Sequence, residues 1–167
     1  TAVSFMEERP EVPALIAALK EEARRPKDDS EMAATTEEGY AGCLVRVLAG
    51  LGKTAVPFLI EVLKKEADLR QSVLDVLGRI GADAEAAVPA VVALGKDADD
   101  EIRVSAIGTL GKIGCRSPQA IAAIISALRD EFQPVRATAV RAMGEVGPGA
   151  KEAVPALIRA WKEEKNE

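Results

Sequence analysis

Three stretches that read almost alike decide the fold: LRQSVLDVLGRIG at Leu69–Gly81, IRVSAIGTLGKIG at Ile102–Gly114 and VRATAVRAMGEVG at Val135–Gly147. Each begins 33 residues after the one before it. The same residue types recur in register, namely the arginines Arg70, Arg103 and Arg136 and the glycines Gly78, Gly111 and Gly144. A fixed period between 20 and 50 residues is typical of a stacked repeat protein.

A second pattern alternates with these stretches. Apolar residues at i, i+3, i+4 and i+7 predict one buried helix face, and this pattern starts at Val12, Val56, Val88, Ile121 and Val154. In four of the five cases a proline follows the first apolar residue, where it costs no hydrogen bond because that N–H lacks an intrahelical partner. We call these the A helices. The helices formed by the three stretches and by the segment before Gly52 are called the B helices.

The two patterns make detailed predictions. The first A helix should span residues 11–24, and Ser117 before Pro118 should cap the fourth. The last B helix should start at Gln133, and its apolar stripe, Val140 included, should be buried. Gly52, Gly81, Gly114 and Gly147 suit the left-handed position that ends a helix. Trp161 lies on the apolar stripe of the last A helix and should pack against the previous helix pair, the alternative being an exposed aromatic that binds a partner.

The pattern predicts one domain over residues 1–167. Its units are residues 11–52, 53–81, 82–114 and 115–147, followed by a terminal helix at 148–165. The first unit carries an insertion at about 21–36, rich in charged residues. This insertion is either a solvated loop, since long loops add little entropic cost, or a loop specific to a partner. Thr35 and Glu38 form a capping box, so the first B helix should begin near Thr36.

Composition limits the classes of function. Apolar residues make up 48% of the chain, aromatic residues 3% and charged residues 29%, and the net charge is −5. No polybasic run and no uncharged stretch of about 20 residues occurs, so we expect neither nucleic-acid binding nor a membrane span.

Histidine is absent, which removes the commonest metal ligand and acid–base group. Cys43 and Cys115 lie two units apart, too far for a disulfide, and are expected to act as small apolar side chains. The first residue is Thr1, so we expect a processed chain or a piece of a larger protein, whose compartment the sequence does not give. We expect a soluble chain, and a cytoplasmic location rather than a secreted one.

Residues 40–165 resemble the HEAT-repeat family, most closely its short bacterial form, which is also seen in phycobilisome-lyase-type repeats. The resemblance implies an all-α fold, an α-solenoid with a right-handed superhelix of about 4.5 helical hairpins. It also implies a structural ladder of aspartate and arginine side chains between adjacent units, at Asp97, Arg103, Asp130 and Arg136. We expect Asp97 to pair with Arg103, so that the substitution Arg103→Ala would leave Asp97 unpaired and lower the stability of the fold. In the second unit Lys64 replaces the aspartate, so the ladder is broken or rerouted there, and in the first unit Ala41 replaces the arginine.

In HEAT-like folds the B helices line the concave side, by the same resemblance. The predicted partner-binding residues there are Arg46, Gln71, Asp75, Arg79, Val104, Gly108, Lys112, Thr138, Arg141 and Glu145. Cations outnumber carboxylates among them, which would attract an acidic peptide. The alternative is an ordinary solvated surface of mixed charge. Gly108 leaves a shallow gap in the middle of this set.

These observations predict a monomeric, non-enzymatic scaffold that binds a protein or an acidic peptide and holds no cofactor or metal. The alternative is a HEAT-like enzyme or accessory domain, for example with bilin-lyase activity. A His–Glu iron site is excluded because the chain contains no histidine. A helical-repeat DNA glycosylase needs a strongly basic concave face with aromatic residues, and a net charge of −5 with five aromatic residues argues against one.

Overall fold

The computed structural model describes residues 10–24, 40–114 and 117–147, together with residues 151, 154, 155, 158, 159 and 162. Within these residues the chain forms α-helices, 3-10 helices and turns, without a strand. The α-helices are α1 (Glu11–Arg24), α2 (Tyr40–Gly50), α3 (Val56–Lys65), α4 (Arg70–Ile80), α5 (Val88–Leu94), α6 (Asp100–Ile113), α7 (Pro118–Ala127) and α8 (Gln133–Val146). Three 3-10 helices connect them, at Gly52–Thr54, Ala67–Leu69 and Gly81–Ala87.

The helices form two layers. The B helices α2, α4, α6 and α8 pack side by side in chain order, and the A helices α1, α3, α5 and α7 each pack against the B helix that follows them. This arrangement confirms the all-α solenoid. Each helical hairpin is buried mainly by its neighbours in the stack.

The helix ends mostly follow the predicted signals. Proline occupies one of the first two positions of α3, α5, α7 and α8. Ser117 precedes α7 as predicted, but its side chain forms no capping hydrogen bond. At the start of α6 the capping side chain is a carboxylate, that of Asp99. It accepts a hydrogen bond from the Glu101 backbone N–H at 2.9 Å.

Gly81 and Gly147 end α4 and α8 with positive φ, +69° and +63°, as the sequence predicts. Their ψ angles of −141° and −136° lie outside the left-handed helical region, in a conformation that residues with a Cβ rarely adopt. Gly114 does not follow the prediction, because its φ is −109°. A side chain at this position is excluded by packing instead, since a Cβ there would collide with the Cβ of Ala120 in α7. The same residue type thus ends one helix by its backbone freedom and permits a close approach at another.

One continuous core runs through the stack. It consists mainly of leucine, isoleucine, valine and alanine, which agrees with the aromatic-poor composition. Its largest side chains with essentially no exposure are Leu19, Leu48, Leu59, Leu69, Leu74, Leu77, Ile107, Leu110, Ile113 and Ile124.

Three apolar residues that the pattern assigned to the core are exposed. Val140 of α8 is 53% exposed, and Val154 and Ile158 of the terminal segment are each 50% exposed. The equivalents of Val140 in α4 and α6, Leu74 and Ile107, are buried. In a stacked repeat burial comes from the neighbouring units, and α8 is the last B helix of the described part of the chain. The prediction for these three residues was therefore wrong.

Several predictions concern residues outside the described part of the chain. They are the capping box at Thr35 and Glu38, the start of the first B helix near Thr36, the packing of Trp161 and the role of Cys115. Of the insertion at about 21–36, only residues 21–24 are described, and they belong to α1. The unit boundaries also stay predictions.

Candidate functional site

The B helices present a row of mostly polar side chains, which we call the B-row. It consists of Arg46 on α2, Gln71, Asp75 and Arg79 on α4, Val104, Gly108 and Lys112 on α6, and Arg141 and Glu145 on α8. The charged members and Gln71 are exposed, whereas Val104 and Gly108 are half-buried. Because the four helices lie side by side, residues at one register position form a line across the layer.

Thr138 does not belong to this row, although the sequence interpretation placed it there. It is buried, with 6% exposure, and its methyl carbon Cγ2 lies 3.5 Å from where a Cβ of Gly108 would be. Thr138 is in register with Ser105 and Ser72, one position away from Gln71 and Val104. The residue in register with those two is Ala137, which is exposed. Consistent use of the 33-residue period would have found it.

The B-row carries one cation on each B helix, namely Arg46, Arg79, Lys112 and Arg141. Arg79 donates to both carboxylate oxygens of Asp75 at 3.2 Å. The Nη2 atom of Arg46 lies 3.3 Å from the Cys43 sulfur, and Arg141 lies 3.5 Å from the Thr138 hydroxyl oxygen. The row thus holds four cations and two carboxylates on a chain whose net charge is −5.

Two B-row side chains extend over the preceding B helix where that helix has a glycine. The Cδ atom of Lys112 lies 3.4 Å from where a Cβ of Gly78 would be, and Oε2 of Glu145 lies 2.9 Å from the same point at Gly111. The repeated glycine therefore makes room for a charged side chain from the next unit. The sequence shows the glycines, but it does not show which residue covers them.

The B helices α6 and α8 also approach each other closely. A Cβ at Gly111 would lie 2.9 Å from the Cβ and 3.0 Å from the Cα of Ala142 on α8. One helix earlier, the hydroxyl of Thr109 on α6 donates to the Leu74 carbonyl oxygen on α4 at 3.1 Å. Small residues at these positions thus let neighbouring B helices pack almost backbone to backbone.

Arginine–aspartate pairs link the second unit to the third and the third to the fourth. Arg70 Nη1 lies 2.8 Å from Asp97 Oδ2. Arg103 donates through Nε and Nη2 to the two oxygens of Asp130, at 3.0 and 3.1 Å. Each arginine therefore pairs with the aspartate 27 residues ahead, in the following unit.

The pairing of Arg103 with Asp97 inferred from the sequence was wrong as regards the carboxylate. Arg103 contacts Asp97 only at its backbone carbonyl oxygen, at 3.0 Å, and Arg136 likewise contacts the Asp130 carbonyl oxygen at 3.0 Å. The six-residue spacing within a unit thus brings each arginine to the helix-terminal carbonyl, while the carboxylate at that position binds the arginine of the preceding unit.

The Arg103–Asp130 pair is well shielded from solvent, with side chains 8% and 15% exposed. Burial opposes ionisation of Asp130. The hydrogen bonds from Arg103 and the Phe132 backbone N–H, with the nearby charges of Arg103 and Arg136, outweigh it and lower the pKa of this carboxyl. The hydrogen bond to Asp130 is in turn the largest cause that raises the pKa of Arg103. Both groups are therefore held in their charged forms.

The junction between the first and second units uses a different pair. Lys20 on α1 binds Glu66, which directly follows α3, at 2.5 Å, and this hydrogen bond lowers the pKa of Glu66. Lys64, which stands where the later units have aspartate, lies 3.7 Å from Glu61 on its own helix. The link is thus rerouted through Lys20.

Chemistry-bearing groups do not converge in the described residues. Within 10–24, 40–114 and 117–147 and the six described terminal residues, no group of three histidine, cysteine, aspartate or glutamate side chains could hold a metal ion. Cys43 is a free, half-buried thiol. None of the described helices is long and apolar enough to cross a membrane.

Comparisons with known proteins agree with this fold. Residues 88–167 match a family model described as HEAT repeats, and 24 chains of solved structures match as well. One is the crystal structure of an engineered protein from the Northeast Structural Genomics Consortium. It is 19% identical, with a TM-score of 0.50, and the match covers 80% of this chain and 68% of that chain. At this identity the likeness shows the fold alone.

No curated protein matched the sequence. HEAT repeats generally mediate protein–protein interaction, and their scaffolds are generally non-catalytic. The family model, the 33-residue period and the stacked hairpins agree with one another. Residues 88–167 match the HEAT-repeat family, within a chain whose described part is an all-α solenoid.

Proposed function

We propose that this chain is a non-enzymatic scaffold that binds an acidic peptide or an acidic loop of a protein along the B-row. The observation that carries the proposal is the placement of one exposed cation on each of four consecutive B helices, on a chain whose net charge is −5. In HEAT-like folds this layer is the concave one, so the four cations would line a continuous surface.

The physical basis is electrostatic steering. Complementary charge raises the rate of encounter and fixes the orientation of a partner more than it adds affinity. Asp75 is paired with Arg79 on α4, and Glu145 lies one turn from Arg141 on α8. These two carboxylates would disfavour a uniformly acidic strand at those points. A small, less polar patch lies within this surface, formed by Val104, Gly108 and Ala137. An apolar side chain of the partner would fit there. The preferred ligand is therefore acidic but interrupted by an apolar residue.

The test reverses two B-row charges, Arg79→Glu together with Arg141→Glu. The control reverses Lys53→Glu with Arg24→Glu, two exposed cations outside the row, so that the net charge changes equally. Binding of a fluorescein-labelled glutamate-rich peptide with one central leucine is measured by anisotropy at two salt concentrations.

We expect the B-row variant to bind at least about tenfold more weakly, which corresponds to roughly 1.4 kcal/mol, with a melting temperature close to that of the unmodified chain. The control should bind within about twofold of the unmodified chain. Equal affinities for the two variants would refute the B-row as the binding surface.

A further inference from the structure

Two cavities with equivalent walls lie on the A-helix side of the stack. Groove I, between α3 and α5, has a volume of about 490 Å³, and groove II, between α5 and α7, has about 480 Å³. Ala90 in groove I corresponds by the 33-residue period to Ala123 in groove II, and Ile60 and Val92 take the same position in the apolar patterns that start at Val56 and Val88. The grooves are thus one feature repeated along the stack, and both lie on the side opposite the B-row.

The grooves are open because small residues occupy the facing helix. Ala90 and Ala93 line groove I, and Ala123 and Ser126 take the same positions in groove II. Gly95 leaves the end of the Ile107 side chain near the surface of groove II, since a Cβ there would lie 3.4 Å from Ile107 Cδ1. Aliphatic side chains therefore form much of the lining of each groove, with Ile60, Leu63 and Leu94 in groove I and Val92 and Ile107 in groove II.

Cations line the edges of both grooves. Lys64 lies at groove I, and Lys96 and Arg129 lie at groove II. Counted from the first apolar residue of each A helix (Val56, Val88 and Ile121), these three cations take the same position, although Lys64 aligns with Asp97 when the B helices are used for the count. Among the residues that the structure describes, neither Lys96 nor Arg129 forms an ion pair. The one carboxylate that lines groove II, Asp130, is already bound by Arg103. The edge of groove II is thus cationic beside an apolar lining.

We propose that the two grooves form a second protein-docking surface, which binds an extended, acidic segment of a partner through two apolar side chains. One apolar side chain enters each groove, and carboxylates of the segment pair with Lys96 and Arg129. The grooves are one repeat apart, which is about one helix diameter, roughly 10 Å. In a polyproline II segment, residues i and i+3 project on the same side about 9 Å apart, so this conformation matches the spacing.

This surface is independent of the proposed function, because the A-helix side and the B-row share no residue. A partner could therefore contact either side without blocking the other. A variant that fills the grooves should leave binding to the B-row unchanged, and reversal of B-row charges should leave binding to the grooves unchanged.

The test selects dodecapeptides from a random phage-displayed library on the 167-residue chain and measures their affinities by anisotropy. Ala93→Trp with Ser126→Trp fills both grooves from exposed positions, and Ala82→Trp is the control outside them. Lys96→Glu with Arg129→Glu reverses the edge charges without adding bulk, which keeps the test valid if the tryptophan variant folds poorly.

We expect selected peptides to carry two apolar residues three positions apart with acidic neighbours. Their affinity should fall at least tenfold in the groove-filling and charge-reversed variants and stay within twofold in Ala82→Trp. Peptides that bind all variants alike, or a selection that yields no peptide sensitive to either pair of substitutions, would overturn the proposal.

Discussion

The first and third junctions of the stack are held by different ion pairs. At the third junction Arg103 reaches Asp130 with two nitrogens, and both side chains are largely shielded from solvent. At the first junction Lys20 reaches Glu66 with a single ammonium, and about a third of each side chain is exposed. The difference follows the sequence period, because the third junction keeps the 33-residue repeat and the first does not.

This comparison shows what regular spacing provides. A planar guanidinium binds a carboxylate through two parallel bonds only when both side chains have a fixed relative position, and the exact period repeats that position. Where the first unit departs from the period, a flexible lysine can still cross the junction, but its exposed pair is screened by water and salt. The two junctions should therefore differ in how much their ion pairs stabilise the fold.

The largest expected effect comes from breaking the third junction. Asp130→Ala removes the carboxylate that binds the shielded guanidinium of Arg103 with two bonds from the next unit. Arg103 then keeps only Asp100 of its own helix, at 2.6 Å, and the distant Glu131, at 3.9 Å, so we expect a loss of about 1.5–3 kcal/mol in the free energy of unfolding. Arg103→Ala should also destabilise the fold, by leaving Asp130 unpaired rather than Asp97. Urea unfolding followed by circular dichroism measures both.

The matched substitution at the first junction is Glu66→Ala. It should cost clearly less than Asp130→Ala, and its effect should shrink further in about 1 M salt, where the screening length is roughly 3 Å. Equal losses at the two junctions would contradict the distinction drawn between them.

A second comparison concerns the space around equivalent glycines, Gly111 on the inner B helix α6 and Gly144 on the last described B helix, α8. Gly111→Ala places a Cβ 2.9 Å from the Cβ of Ala142 and 3.0 Å from its backbone, so α6 and α8 must move apart. We expect a loss of about 1–3 kcal/mol, the usual cost of overpacking. The measurement is the urea midpoint at constant slope.

Gly144→Ala is the internal control, since it is the same substitution at the equivalent position of α8. A Cβ there meets nothing within 4 Å, so the higher helix propensity of alanine should stabilise the chain by about 0.5–1 kcal/mol. A stabilising Gly111→Ala would show that the two B helices are not in close contact.

The smallest expected effect is a pH dependence at the third junction. The pKa of Asp130 is lowered below its ordinary value of 3.8, so the folded state binds its proton less readily than the unfolded state. The stabilisation is complete above about pH 5 and decreases as the pH falls through the folded pKa.

Asp130→Asn should therefore lose less stability between about pH 5 and pH 3 than the unmodified chain does. Asp75→Asn, on the exposed pair with Arg79, serves as the control. Parallel pH profiles for Asp130→Asn and the unmodified chain would refute the assigned role. Glu61 and Glu66 also have a lowered pKa, so some acid sensitivity should remain in every variant.

Much of the fold could be predicted because the period and the helix signals are local. The bounds of α1 at Glu11–Arg24 and the start of α8 at Gln133 agree with the structure. The partner of Arg103 could not be predicted from spacing, because Asp97 is six residues away in its own unit whereas Asp130 is reached only through the stack. The exposure of Val140 was missed for a similar reason, since its burial depends on a neighbour and not on its own helix.

For the B-row, the sequence predicted which charged side chains are exposed, whereas their role in binding stays a prediction. The one residue placed wrongly, Thr138, resulted from a one-position error in register, and a single position on a helix turns a side chain by about 100°. The grooves on the A-helix side were not predicted at all. They arise from alanines that look like ordinary helix formers, and only the packing of α3, α5 and α7 shows that no described residue fills the space above them.

The side chains that lie across Gly78 and Gly111 have a consequence for exchanging repeats. Because Lys112 covers α4 and Glu145 covers α6, the surface chemistry above each helix is supplied partly by the hairpin that follows it. A chimera that shuffles hairpins would alter the recognition properties of the unit before each splice, even where that unit's own residues are untouched. Transplanting a specificity within such an array therefore requires two consecutive hairpins as the smallest portable piece.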